Sequence, residues 1–238
     1  MGYSSLQSPS VLSFLMRQNH RMVQTGARAA QLAALIVAGG VQTQISAPIP
    51  PRSSMLGDDD LAELLSVYET LGGLREPSTF RPGSWDLAFD DGLIIELDEE
   101  LHFNRYRGLT FGLGDSSTLP WASAYARYCT QQETACLAAG RWGKRWTSPS
   151  SEKHFGPANG AGTLVDGGAP RWKQRAFYDA MKDIAARAGE LRLARLSVWD
   201  NIGDTKLGEI LTGRAALLDP SALDQLLLAR TLDASSAS

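Results

Sequence analysis

Residues 85–107 read Trp85-Asp-Leu-Ala-Phe-Asp-Asp-Gly-Leu-Ile-Ile-Glu-Leu-Asp-Glu-Glu-Leu-His-Phe-Asn-Arg-Tyr-Arg107. Two short apolar runs, Ser84–Phe89 and Leu93–Asp98, flank Asp90-Asp91-Gly92. An Asp-Gly step between apolar runs predicts a β-hairpin. Side chains alternate along a strand, so Trp85, Leu87 and Phe89 share one face and Asp86 takes the other. In the second run Leu93, Ile95 and Leu97 share a face, and Ile94, Glu96 and Asp98 the opposite one. One side of the hairpin is therefore expected to carry Asp86, Glu96 and Asp98.

Carboxylates at that spacing repel one another, and desolvation beside an apolar sheet raises the cost of ionising them further. A divalent cation relieves both penalties. Oxygen ligands converging from adjacent strands suit Mg²⁺ or Mn²⁺. His102 follows four residues after Asp98, and Arg105 and Arg107 come next. Acid for a metal, histidine for a proton and arginine for a phosphate make a coherent phosphodiester site. A solvated acidic hairpin, its charges blunting a sheet edge, satisfies the same pattern.

An aspartate on one strand, Glu-x-Asp closing the next, and His four residues on, is similar to the small branch of the PD-(D/E)XK restriction-endonuclease-like superfamily. That branch includes the very-short-patch repair endonucleases. Here the pattern is Asp86-Leu87, then Leu93-Ile94-Ile95, then Glu96-Leu97-Asp98 with His102. Glu99 stands where the branch has Gly, and Asp98 stands where the commoner motif has Lys. A helix over Asp58–Leu71 places Glu63 at the position of a supporting glutamate. A helix over Arg171–Ala188 and a strand over Leu193–Trp199, followed by Asp200-Asn201, continue the order. Ser197 replaces an arginine of the pattern. The resemblance implies an α/β (α+β) fold, a mixed central sheet flanked by helices. It also implies a metal-dependent endonuclease acting on nucleic acid, with DNA the expected partner. Asp86, Glu96 and Asp98 would hold Mg²⁺ or Mn²⁺, and His102 would complete the catalytic group. The missing lysine would be supplied by His102 or by Lys173.

The chain as a whole fits an ordinary globular protein: 238 residues, 43% hydrophobic and 21% charged, with net charge −3. The charge is uneven. Phe103–Arg175 holds ten Lys or Arg against four Asp or Glu, a balance of +6, which leaves −9 elsewhere. An acidic hairpin beside a basic segment suits a metal site next to a phosphate track. Arg105, Arg107, Arg141, Lys144, Arg145 and Lys173 are the candidate nucleic-acid contacts, with Trp142 and Trp146 interleaved for stacking. His154, in the same loop, is within possible reach of the metal site.

The sequence divides into an N-terminal helix and linker over residues 1–57 and a nuclease-like domain over 58–238. Residues 103–172 form an insertion in that domain. Val11–Ala38 is expected to be a helix that packs on the domain or on a second copy, giving a homodimer. Its apolar run is too short to span a membrane. Val41–Gly57, with Pro48, Pro50 and Pro51, reads as a linker. Pro120–Gly140 reads as one helix carrying Cys129 and Cys136. Seven residues apart on a helix is about 10.5 Å, too far for a disulfide, so a reducing, cytoplasmic setting is expected. Two alternatives remain beside the nuclease. One is an inactive module of the same fold that binds nucleic acid or protein, with the carboxylates paired to arginines. The other, with less to mark it, is a glycosidase using paired carboxylates.

Overall fold

The computed structural model describes residues 26–39, 43–74 and 80–233. The elements within them form a mixed α/β architecture, a five-stranded mixed sheet with helices around it. In chain order these are α1 (Ala27–Ala38), β1 (Gln44–Ile45), α2 (Asp58–Thr70), β2 (Leu87–Phe89) and β3 (Leu93–Asp98). Then come α3 (Arg105–Thr110), α4 (Ala122–Gln131), α5 (Glu133–Gly140), α6 (Pro149–Phe155) and α7 (Pro170–Ala185). The chain continues through β4 (Arg192–Ser197), β5 (Asn201–Ile202), β6 (Thr205–Lys206), α8 (Leu207–Leu211), α9 (Pro220–Arg230) and β7 (Thr231–Leu232).

The main sheet has the order β1-β2-β3-β4-β7, with β3 and β4 parallel and the other pairs antiparallel. The hairpin is present. Gly92 closes its three-residue loop at φ 82°, a left-handed value that glycine adopts without steric cost. The turn is held by Gly92 N donating to Phe89 O at 3.1 Å and Leu93 N to Asp91 Oδ1 at 3.1 Å. β3 is buried along its whole length, as expected of a strand with a parallel neighbour and helices on both faces. The parallel register sets Glu96 beside Arg195 and Asp98 beside Ser197.

The two faces of this sheet differ. Leu87, Phe89, Leu93, Ile95, Leu97, Ala194 and Leu196 form one apolar face, covered by Leu32, Ala33 and Ile36 of α1 and by side chains of α8 and α9. On the opposite face Ala88, Ile94 and Leu193 join Trp121, Tyr125 and Cys129 in a second apolar cluster. Glu96, Asp98 and Arg195 lie on that same face, where α7 crosses. α7 is buried almost all round. Its apolar stripe (Trp172, Phe177, Ala180, Met181, Ile184) turns away from the sheet, toward a third cluster with α2, Phe80, Trp146 and Phe155. Its polar stripe turns inward.

Several sequence boundaries move. Residues 44–45 of the expected linker add a strand to the sheet, pairing Gln44 with Phe89 and Ile45 with Ala88. The apolar stripe of α1 is buried against its own sheet. Residues 1–25, including His20 and the first part of the expected N-terminal helix, lie outside the described residues. Pro120–Gly140 is two helices that break at Gln132. Residues 103–172 pack as α3–α6 against α7 and the sheet, contributing to two of the three cores rather than standing apart.

Candidate metal centre

The centre begins with the register of three strands. β2 and β3 pair Leu87 with Ile95, which brings Asp86 opposite Glu96. Asp86 Oδ2 accepts from Leu97 N at 2.9 Å, and Asp86 N donates to Glu96 Oε1 at 3.2 Å. β4 then sets Arg195 beside Glu96. Residues three and four apart on a helix share a side, so Asp179, Lys182 and Asp183 of α7 all face this row.

Lys182 Nζ donates to both oxygens of Glu96, at 2.9 and 2.8 Å, and to Ser84 O at 3.0 Å. Its ammonium lies 4.7 Å from the Trp85 ring centroid. Arg195, fully buried, donates to Asp98 at 3.1 and 2.8 Å and to Asp183 Oδ1 at 2.5 Å. Arg107 closes the chain on the other oxygen of Asp183, also at 2.5 Å. His102 sits on a 3₁₀ turn just beyond β3. Its Nδ1 is 2.9 Å from Asp98 Oδ1 and 2.8 Å from Asp179 Oδ2.

Burial and pairing set the protonation of these groups. Burial pushes the Glu96 carboxyl up to about 7, against the pull of Lys182 and Arg195. Burial also raises Asp86, opposed by its bond from Leu97 N. For His102, burial opposes the charged form, but Asp179 and Asp98 overcome it and raise the imidazole to about 9. Asp179 is lowered to about 2, and Asp98 well below the usual carboxylate range. For both, burial acts the other way and is overcome by the cations, chiefly His102 for Asp179 and Arg195 for Asp98. Between about pH 7 and 9, with Glu96 ionised and His102 protonated, Glu96, Asp98, Asp179 and Asp183 are matched by Lys182, Arg195, Arg107 and His102. Buried charges persist when paired in this way.

Asp98, His102 and Asp179 offer ligand atoms that all lie within 4.8 Å of one another, so this Asp-His-Asp group could hold a metal ion. It opens on a cavity of about 260 Å³ whose lining includes Asp86, Glu96, His102, Asp179 and Lys182. The imidazole is the least buried of the three ligands, its side chain 22% exposed.

The sequence candidates divide into two groups. Asp86, Glu96, Asp98 and His102 are brought together. Glu96, however, has both oxygens occupied by Lys182, and the ligand that joins Asp98 and His102 is Asp179. Apart from Arg107, which joins the network through Asp183, the other candidates lie away from the carboxylates. Lys173 is nine residues before Lys182, half a revolution around α7, and lies instead beside Gly72 and the Tyr106 ring. Arg105 pairs with Glu133 at 2.7 Å on the surface. Arg107 is an interior ion-pair partner, drawn inside because Asn104 caps α3 by accepting from Tyr106 N and Arg107 N. Glu63 pairs with Arg187. His154 packs near Tyr68, whose hydroxyl donates to His154 O at 3.0 Å. Arg141 stacks over exposed Trp142, and Lys144 and Arg145 are exposed beside it. Trp146 O accepts from Arg171 N at 3.2 Å, which ties this basic loop to the start of α7. Cys129 and Cys136 are free and buried, and burial pushes both thiols up to about 12.

Asp179, Lys182, Asp183 and Arg195 were not singled out by the sequence reading. Arg195 carried a usable signal. An arginine mid-strand in a run expected to be central needs a buried carboxylate partner. Asp179 and Asp183, one turn apart in the neighbouring helix, were the nearest supply.

Among the described residues, no helix is long and apolar enough to cross a membrane. No curated protein and no solved structure matches the chain. The sequence pattern of DUF7255, a family of unknown function, matches residues 66–213. That stretch covers more than half of the chain and includes every residue of the Asp-His-Asp group and of the ion-pair network around it. The chain belongs to the DUF7255 family.

Proposed function

We propose that the protein is a metal-dependent phosphodiester hydrolase acting on nucleic acid, with its centre at Asp98, His102 and Asp179. The observation that carries this reading is the Asp-His-Asp group opening on a cavity that also presents Lys182 and the Asp86–Glu96 pair. The resemblance to PD-(D/E)XK nucleases rests on Asp86, Glu96, Asp98 and His102, and all four meet here. Lys182 supplies, from α7, the lysine that the strand lacks.

The donor set selects the ion. Two carboxylates and an imidazole suit Mn²⁺ better than Mg²⁺, which prefers an all-oxygen shell and keeps several waters. Such an ion would supply Lewis-acid polarisation of a phosphoryl oxygen and a lowered pKa for a bound water. The chain's residues do the rest. Asp98 is oriented by Arg195, and Asp179 by its place on α7. His102 gives up its Nδ1 proton to act as a ligand. Lys182 holds Glu96 and Ser84 O, which fixes the wall facing the centre.

A second reading has a specific observation in its favour. Glu96 and Asp98 already have cationic partners, as an inactive binding module of the same fold would require. Incubation with plasmid, single-stranded DNA and RNA, in Mn²⁺ and in EDTA, separates the two. The hydrolase reading expects Mn²⁺-dependent cutting of at least one substrate that Asp179→Asn and Asp98→Asn remove. Absence of cutting across all three substrates favours the module.

A further inference from the structure

Among the described residues, most cations of the site have a carboxylate within ion-pair distance, but two half-buried arginines in the cavity wall do not. Among the described residues, Lys182, Arg195 and Arg107 are each within 2.8 Å of an acidic oxygen. Arg175 lines the same cavity, and its side chain donates only to Leu101 O, at 3.3 Å. Arg171, one turn earlier on α7, also lines it and donates to the neutral Gln174 Oε1 at 2.5 Å. Two half-buried guanidinium groups that face a cavity with donors to spare are suited to an anion there. Spacing of i, i+4 sets the two forks on one side of α7, the geometry in which guanidinium donors match phosphate oxygens.

The walls limit what can carry that anion. Gly26 and Ala29, at the start of α1, line the cavity with Gly83 and Ser84. Arg28 fastens this end of α1 to Glu100 at 2.7 Å and to Glu99 at 3.7 Å. The volume of about 260 Å³ is at the small end for ligand sites, roughly 300–1,000 Å³, and suits a ligand about the size of one nucleotide better than a duplex.

We infer that Arg171 and Arg175 bind the terminal phosphate of a single-stranded nucleic-acid end. The choice of nucleic acid rests on the hydrolase reading above, whereas the phosphate site rests on the cavity and the two unpaired guanidinium groups. Phosphate enters against Arg171 and Arg175, and the adjoining nucleotide then lies toward His102 and Asp179 on the same wall. The exposed loop with Arg141, Lys144 and Arg145, joined to the start of α7, continues the positive surface.

The test is calorimetry on the full chain in EDTA, so that no metal contributes. The titrants are inorganic phosphate and a deoxytetranucleotide with a 5′-phosphate, with a 3′-phosphate, and with neither. One phosphorylated end should bind at least about tenfold more tightly than the unphosphorylated strand, as expected for charge-assisted bonds. Inorganic phosphate should compete with it, and the preferred arm identifies which end is read. Arg171→Gln and Arg175→Gln should each remove most of the preference. Arg171→Gln serves alone if the other variant does not fold. Equal affinity for phosphorylated and unphosphorylated strands overturns the inference, as does a preference that survives in Arg171→Gln. Circular single-stranded DNA with Mn²⁺ separates the two claims. Cutting of the circle without end preference removes the end site and keeps the hydrolase. End preference with no Mn²⁺-dependent cutting of any substrate keeps the site and removes the hydrolase.

Discussion

The two faces of the central sheet solve the same burial problem in different ways. On one face seven aliphatic or aromatic side chains meet α1, α8 and α9, and the interaction is non-directional. On the other, Glu96, Asp98 and Arg195 meet Asp179, Lys182 and Asp183 of α7, and every group depends on its partner's exact place. A buried ion pair rarely stabilises more than a well-packed apolar pair of the same volume. The ionic face is therefore not the simplest way to hold α7 on the sheet. Perturbed carboxyl and imidazole groups gathered beside a cavity make this face the candidate functional site.

The largest expected effect breaks the ionic face. Arg195→Met leaves Asp98 and Asp183 buried without their shared cation and should cost about 3–5 kcal/mol in denaturant unfolding. A loss below about 1 kcal/mol would mean that the network is not held as described. Lys182→Met should cost nearly as much, because it strands Glu96. Adding Glu96→Gln to Lys182→Met should restore a large part of that loss, since a neutral amide needs no counter-ion. If the double variant is as unstable as the sum of the singles, the pair is not coupled.

On the apolar face a single deleted methylene should act through packing alone. Ile95→Val should cost about 0.5–1.5 kcal/mol, with no dependence on pH between 5 and 9. The ionic face should respond to pH. The His102 pKa is raised on folding, so its contribution is fully present below its usual value near 6.5. It is lost as pH rises through about 9. Glu96, held protonated up to about 7, adds a loss of stability between its usual carboxylate range and that value. His102→Gln should flatten the fall above pH 7, and an unchanged slope in that variant would assign it to another group.

The apolar face was legible in the sequence and the ionic one only in part. Alternation gave the hairpin and the apolar face of Leu87, Phe89, Leu93, Ile95 and Leu97, but it misplaced Trp85, which joins Ala88 and Ile94 on the other face. The strand expected over Leu193–Trp199 rested on the resemblance and on aliphatic content, and β4 is found there. The acid residues of β3 were visible because Glu96 and Asp98 sit in a pattern with Asp86 and His102. Their partners were not, because the polar stripe of α7 has the spacing of a solvated helix face. An amphipathic pattern gives the period and the stripe, but not which stripe meets the sheet. In this fold α7 is sandwiched, and its apolar stripe serves a third layer with α2 and Trp146. Lys173 was favoured over Lys182 for its nearness in sequence to the basic segment, although half a turn of helix separates their directions. The strand at Gln44–Ile45 was hidden among prolines, and its two residues are too few for alternation to register.

Asp98, His102 and Asp179 of the ionic face could hold a metal ion. Calorimetric titration of the apo-protein with Mn²⁺ at pH 7 to 9 tests this most directly. One site should appear, and its affinity should rise about tenfold per pH unit up to about 9, because the imidazole must give up one proton to act as a ligand. Asp179→Asn should weaken binding by at least about tenfold, while Asp86→Asn, outside the group, should leave it within about threefold. Binding lost in Asp86→Asn but retained in Asp179→Asn would move the centre to the Asp86–Glu96 pair. No Mn²⁺ binding at any of these pH values would contradict the metal centre outright.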